Sequence, residues 1–217
     1  MGLDDCLRRM KETYEADPVH AVRSQEFIRL LHSWIADELR QRLHPKAERA
    51  GIEVKEEAKI YGSHKSKDVD IAVIHPMNGP LAIIGVRSQM SSIGKNVLTY
   101  YQDIVGECIS LQDRFPLATY GYAYLHPLED RDGVTPDHVR FARMYQAISG
   151  REGRNYREIK GCYDHFAYLV VDFDRYQPIV RDEIMSPHLE LDLSIHTLVD
   201  RCIKTFNDRN IWMDIFI

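Results

Sequence analysis

The stretch Lys67–Gln89, reading KDVDIAVIHPMNGPLAIIGVRSQ, leaves the backbone few choices. Two apolar runs, Ile71–Ile74 and Leu81–Val86, flank the breakers Pro76, Asn78, Gly79 and Pro80. Short β-branched runs on either side of such a turn predict an antiparallel hairpin. Antiparallel pairing sets the start of one strand beside the end of the next. Asp68 and Asp70 enter the first strand, and Arg87, Ser88 and Gln89 leave the second. Carboxylates and a cation therefore meet on one rim of a sheet. Such a cluster is costly to bury unless a metal or an anionic ligand uses it. This rim is the candidate active site.

The flanking sequence alternates helix and strand signals. Residues 3–16 predict a short polar helix ending before Pro18, and Ser24 reads as the N-cap of a stronger helix to about Leu43. Ile28, Leu31, Ile35 and Leu39 give that helix its apolar stripe. Pro45 opens one further turn with Gly51 as its stop, and Ile52–Tyr61 alternates as a strand. After the hairpin, a helix is expected over 93–112, a strand over 118–127, a turn-rich join over 130–136 and a helix over 137–148. A basic loop over 149–161, a strand over 166–173 and a helix over 194–206 follow. The tail IWMDIFI reads as an edge strand or a subunit contact. The fold class is α/β (α+β), a mixed central sheet flanked by helices. A single domain spans 1–217, with a core over about 25–125 and a C-terminal extension over 126–217.

Several classes are excluded by what the chain lacks. No apolar run approaches the roughly 20 residues that span a bilayer, and MGLDDCLRR has no signal-peptide core. Cys6, Cys108, Cys162 and Cys202 are scattered with no CxxC pair, so a reducing cytoplasm is expected rather than disulfides or a zinc knuckle. A net charge of −5 argues against indiscriminate polyanion binding, though not against a local basic cleft. No GxSxG, HExxH or complete Walker loop is present.

The αβββαβ order, with Asp70 opening the run Ile71-Ala72-Val73-Ile74, resembles the PD-(D/E)XK nuclease superfamily of restriction-endonuclease-like folds. The resemblance covers about residues 25–125 and implies a Mg²⁺-dependent endodeoxyribonuclease (Mn²⁺ possible). It further implies a homodimeric type II restriction enzyme acting on double-stranded DNA. Asp70 matches the family's metal-binding Asp, and LAIIGVRSQ lies where the second motif belongs. There the family's Glu aligns with Gly85 and its Lys with Arg87; a register two residues later gives Arg87 and Gln89. Neither register supplies the second carboxylate. Three sources remain open for it: Asp103 with Glu107 on the following helix, Asp68 on the same strand, and Glu57 on the preceding one.

Within that resemblance, Arg87, Gln89 and Lys95 are the catalytic candidates beside Asp70. Arg87 stays protonated, so it suits charge stabilisation and not proton abstraction. Lys65, Lys67, Ser88, Ser91, Ser92 and Asn96 are candidate phosphate contacts near a helix start. Arg151, Arg154, Arg157 and Lys160 are candidate DNA contacts on the basic loop. Two alternatives stand. GSHKSKDVDI resembles the Gly-Ser…Asp-x-Asp of nucleotidyltransferases, and Gly85 fits a nuclease-like fold that binds nucleic acid without cutting it.

Overall fold

The expected hairpin forms from β2 (Ser66–His75) and β3 (Gly79–Ser88), with Ala72 opposite Ile83. Gly79 takes φ +77°, which the turn needs and a residue with a side chain rarely adopts. β1 (Glu53–Tyr61) pairs antiparallel with β2 on the other side. α5 (Ile93–Arg114) then carries the chain back, so that β4 (Thr119–Pro127) runs parallel to β3. β5 (His165–Asp172) is parallel to β4, and the two-residue β6 (Ile179–Val180) closes the order β1-β2-β3-β4-β5-β6. The computed structural model describes residues 1–131 and 133–217, so the join over 130–136 lies partly outside the described residues. The C-terminal third thus extends the same sheet.

Helices cover both faces. α1 (Leu3–Ala16), α3 (Glu26–Arg42) and α7 (Ile195–Arg209) share a core with Ile84, Val86, Ala123 and Leu125. α5 and α6 (His138–Gln146) pack on the other face against Ile83, Tyr122, Tyr124 and Phe166. Every residue of β4 and β5 is buried, as parallel strands covered on both sides require. No helix among the described residues is long and apolar enough to cross a membrane.

Three local expectations need correction. Ser24 ends the short α2 (Pro18–Arg23), bonding back to the His20 carbonyl, and α3 begins at Glu26 behind Gln25. Asp17, whose side chain accepts from the His20 N–H, caps α2 and supplies the start signal the sequence reading passed over. The tail joins no sheet: Phe216 makes a lone bridge to Leu43, burying Ile215 and Phe216 and leaving Trp212 exposed.

Arg151 is the third correction. It is fully buried, not a DNA contact. Its guanidinium reaches Asp164 at 3.3 Å and the carbonyls of Pro116 and Tyr156 at 2.9 and 2.8 Å. Asp164 also takes Arg209, with one contact at 2.9 Å, and the Tyr120 N–H. A buried carboxylate needs this many partners to offset its lost hydration. The neighbouring Arg154, Arg157 and Lys160 are exposed, with Lys160 paired to Asp113.

A second polar network lies inside the α6 face. Tyr168 Oη sits 2.8 Å from His126 Nδ1 and 2.9 Å from His138 Nδ1. His138 Nε2 is 3.0 Å from the Leu128 carbonyl, which can only accept, so that nitrogen carries the proton. His138 Nδ1 then accepts from the Tyr168 hydroxyl, whose oxygen accepts from His126 Nδ1–H. Both rings are neutral. Burial pushes His126 down to about 3 and His165, beside Arg201, down to about 4. Their stabilising contribution is complete above the unfolded-state value of about 6.5 and is lost as pH falls towards the folded values. Denaturant titrations should show wild-type stability dropping between pH 7 and pH 4. His126→Asn should reduce that slope by about 1.4 kcal/mol per pH unit, the linkage of one proton.

Candidate functional site

β2 and β3 stop pairing at Ile71↔Ile84. Beyond that point the start of β2 keeps only β1, while the end of β3 continues along β4. Asp70 sits at the split. Its Oδ2 accepts the Val86 N–H at 2.6 Å, replacing the ladder bond that divergence removes. The opening is a cleft of about 480 Å³ running between α3 and α5. His32, Glu57, Asp68, Asp70, Lys67, Arg87 and Glu107 all line it. The rim expected from the hairpin is therefore a real recess containing Asp70 and Arg87.

On the α3 side, His32, Glu57 and Asp70 each place one ligand-type atom within 4.8 Å of the others. His32 Nδ1 is 3.3 Å from Glu57 Oε1, and Nε2 is 4.0 Å from Asp70 Oδ1. The β1–β2 pairing passes from Glu56↔Ile71 to Ala58↔Val69, leaving Glu57 and Asp70 facing one another at the unpaired position between, and Glu57 adopts φ +51°, left-handed for a residue with a side chain. That conformation costs on the order of 1–3 kcal/mol and persists only where its surroundings enforce it. Gln25 and Ser92, the other non-glycine residues with positive φ among those described, border this cleft and the adjoining recess.

The opposite wall is cationic and aromatic. Arg87 lies 4.7 Å above the Tyr100 ring, and its Nη1 is buried with no hydrogen-bond partner among the described residues. Lys67 and Glu107 close an ion pair from β2 to α5. At Gly85 an added Cβ would fall 2.5 Å from the Tyr122 ring. Tyr122 is itself held by Phe166 and Tyr163, each 5.2 Å away between ring centres. The space is filled.

Of the three possible sources of the second acid, Glu57 is the one that meets Asp70. Asp68, Asp103 and Glu107 belong to no convergent ligand group among the described residues. Asp68 is exposed at the cleft edge, Asp103 is exposed outside it, and Glu107 is engaged by Lys67. The structure groups Glu57 and His32, and not these three, with Asp70. Gln89 is corrected as a catalytic residue: its amide donates to the carbonyls of Ser91 and Ser92 and accepts from Tyr124 Oη at 3.1 Å. It shapes the joint into α5. Lys95 and Lys65 are exposed and line no part of the cleft. Ser91, Ser92 and Asn96 line an adjoining recess with Arg23 and Arg131, which shares Ser88 and Tyr100 with the cleft. Ser63 is bound to the Ser110 carbonyl and Asp113, and neither it nor Gly62 lines the cleft beside Asp68 and Asp70.

His32 was missed by sequence reasoning. It lies one residue past Leu31 on the apolar stripe of α3, and only tertiary packing brings it to two carboxylates. No family model matches the chain, and no curated protein or solved structure does either.

Burial above all pushes the Asp70 carboxyl above the ordinary carboxylate range. The Glu57 charge adds to this, while His32, the Val86 N–H and Lys67 oppose it. A raised folded-state value favours the fold at low pH, and that contribution is lost as pH rises and the group ionises. Asp70→Asn should therefore raise the melting temperature at pH 7.5 by a few degrees, about 2–4 °C per kcal/mol for a chain this size. The difference should vanish near pH 3 in thermal scans. Gly85→Ala should cost about 1–3 kcal/mol in urea unfolding, because the Tyr122 ring cannot retreat.

Proposed function

We propose that the protein is a divalent-metal-dependent nuclease that hydrolyses DNA phosphodiester bonds in the cleft at the β2–β3 split. One observation carries this reading: Asp70 meets Glu57 on one wall while Arg87, whose Nη1 is buried without a hydrogen bond, lines the other. The order α3-α4-β1-β2-β3-α5-β4, with α4 the short turn Pro45–Arg49, and the position of Asp70 on β2 support a restriction-endonuclease-like core. That resemblance is also the ground for a homodimer acting on double-stranded DNA as a type II restriction enzyme.

The donor set fits a divalent cation, since two carboxylates and a buried, unpartnered imidazole converge. When bound, such a cation supplies Lewis-acid polarisation of a phosphoryl oxygen and neutralises charge in the transition state. Asp70 and Glu57 would hold it. Arg87, permanently charged and stacked on Tyr100, steadies the non-bridging phosphate oxygens as charge builds on them. Lys67 and Ser88, at the cleft edge, position the adjoining backbone.

A second reading is favoured by one feature. Tyr122 fills the place of the carboxylate next to Gly85, which suits a protein that binds nucleic acid without cleaving it. Incubation of mixed plasmid DNA with Mg²⁺ or Mn²⁺ separates the two. Discrete fragments should form, Asp70→Ala should abolish them, and Arg87→Ala should slow their formation by about 10²–10³-fold, the usual loss for one charge-stabilising donor. DNA left intact with either metal, yet retarded in gels containing chelator, would select the binding reading.

A further inference from the structure

We infer that His32 is a direct metal ligand and that it makes the cleft selective for a first-row transition-metal dication over Mg²⁺. The inference rests on the cleft being metal-dependent, but it concerns which ion the chain selects.

His32 is 3 % exposed, and neither ring nitrogen has a hydrogen-bond partner among the described residues. A buried polar group left unsatisfied costs about 1–3 kcal/mol, so an imidazole orphaned at both nitrogens calls for an occupant or a charge state to use it. Its two nitrogens face the two acids, at 3.3 Å from Glu57 Oε1 and 4.0 Å from Asp70 Oδ1. Taking one ring nitrogen and one oxygen of each acid, the three ligand atoms lie within 4.8 Å of one another, close to the roughly 3–4.4 Å that bonds of about 2.0–2.2 Å set between the ligand atoms of one ion. The elements enforce this arrangement. α3 carries His32 over the sheet split, and Glu57 is held opposite Asp70 in a left-handed conformation.

The chemistry of the set then decides the ion. Mg²⁺ takes oxygen ligands at near-octahedral geometry and gives up its waters reluctantly. An imidazole nitrogen beside two carboxylates favours later first-row ions, whose affinities for such sites rise above those of hard dications. A buried imidazole also denies Mg²⁺ one of the water positions it would keep.

Pulsed EPR on the full chain with one equivalent of Mn²⁺ reads the coordination directly. Bound Mn²⁺ should show modulation from a directly coordinated nitrogen-14, and His32→Ala should remove it. Calorimetry should give at least about tenfold tighter binding of Mn²⁺ than of Mg²⁺, and the variant should bring the two affinities together. His32→Gln, with circular dichroism on both variants, distinguishes lost ligation from lost structure. Absence of nitrogen modulation in the wild type, or equal affinity for the two metals, would overturn the inference. Nitrogen ligation without DNA cleavage would leave the inference standing and remove the nuclease reading. Cleavage equally supported by both metals without nitrogen ligation would do the reverse.

Discussion

The hydrogen bond from the Val86 N–H to the Asp70 carboxylate is the hinge on which the site depends. A sheet cannot open between two neighbouring strands without orphaning backbone donors, and buried orphans are costly. Asp70 resolves this by offering a side-chain oxygen where the ladder ends at Ile71↔Ile84. With one donor satisfied, β2 can lean with β1 towards α5, where Lys67 meets Glu107 and Ser63 meets Ser110. Meanwhile β3 continues along β4. One carboxylate thus terminates a pairing, opens a cleft and lines its wall.

The electrostatics of the cleft are held in tension and are not minimised. Burial works against ionised Asp70 and the Glu57 charge adds to it, while His32 and Lys67 work in the other direction. Elsewhere the molecule treats buried charge differently: Asp164 collects Arg151, Arg209 and the Tyr120 N–H. That constellation fastens β4, β5 and α7 together and leaves nothing free to react. In the cleft, one guanidinium nitrogen and two imidazole nitrogens stay unpartnered.

How much of this was legible depended on range along the chain. The hairpin, α5 and the convergence of Asp70 and Arg87 on one rim were readable because alternation and turn chemistry act within a few residues. Glu57 was visible only as one of three possible acids, since register, not composition, sets it opposite Asp70. His32 belongs to an amphipathic pattern that its ring nitrogens do not disturb. Arg151 looked like part of a solvated basic loop because its partners Asp164 and Pro116 are brought in by β5 and the end of α5. Gln89 and Lys95 seemed to flank the site because they are close in sequence, yet the strand-to-helix joint turns them away.

The packing of Tyr122 against Gly85 couples two positions that lie 37 residues apart in sequence and side by side in the sheet, as the β3–β4 register places them. An acid introduced at 85 meets the ring, and a smaller residue introduced at 122 leaves a void among Phe166 and Tyr163. Each change alone is a loss, so neither position can alter its size without strain or a void. The constraint is steric, and Tyr122 carries it to the wall of the cleft.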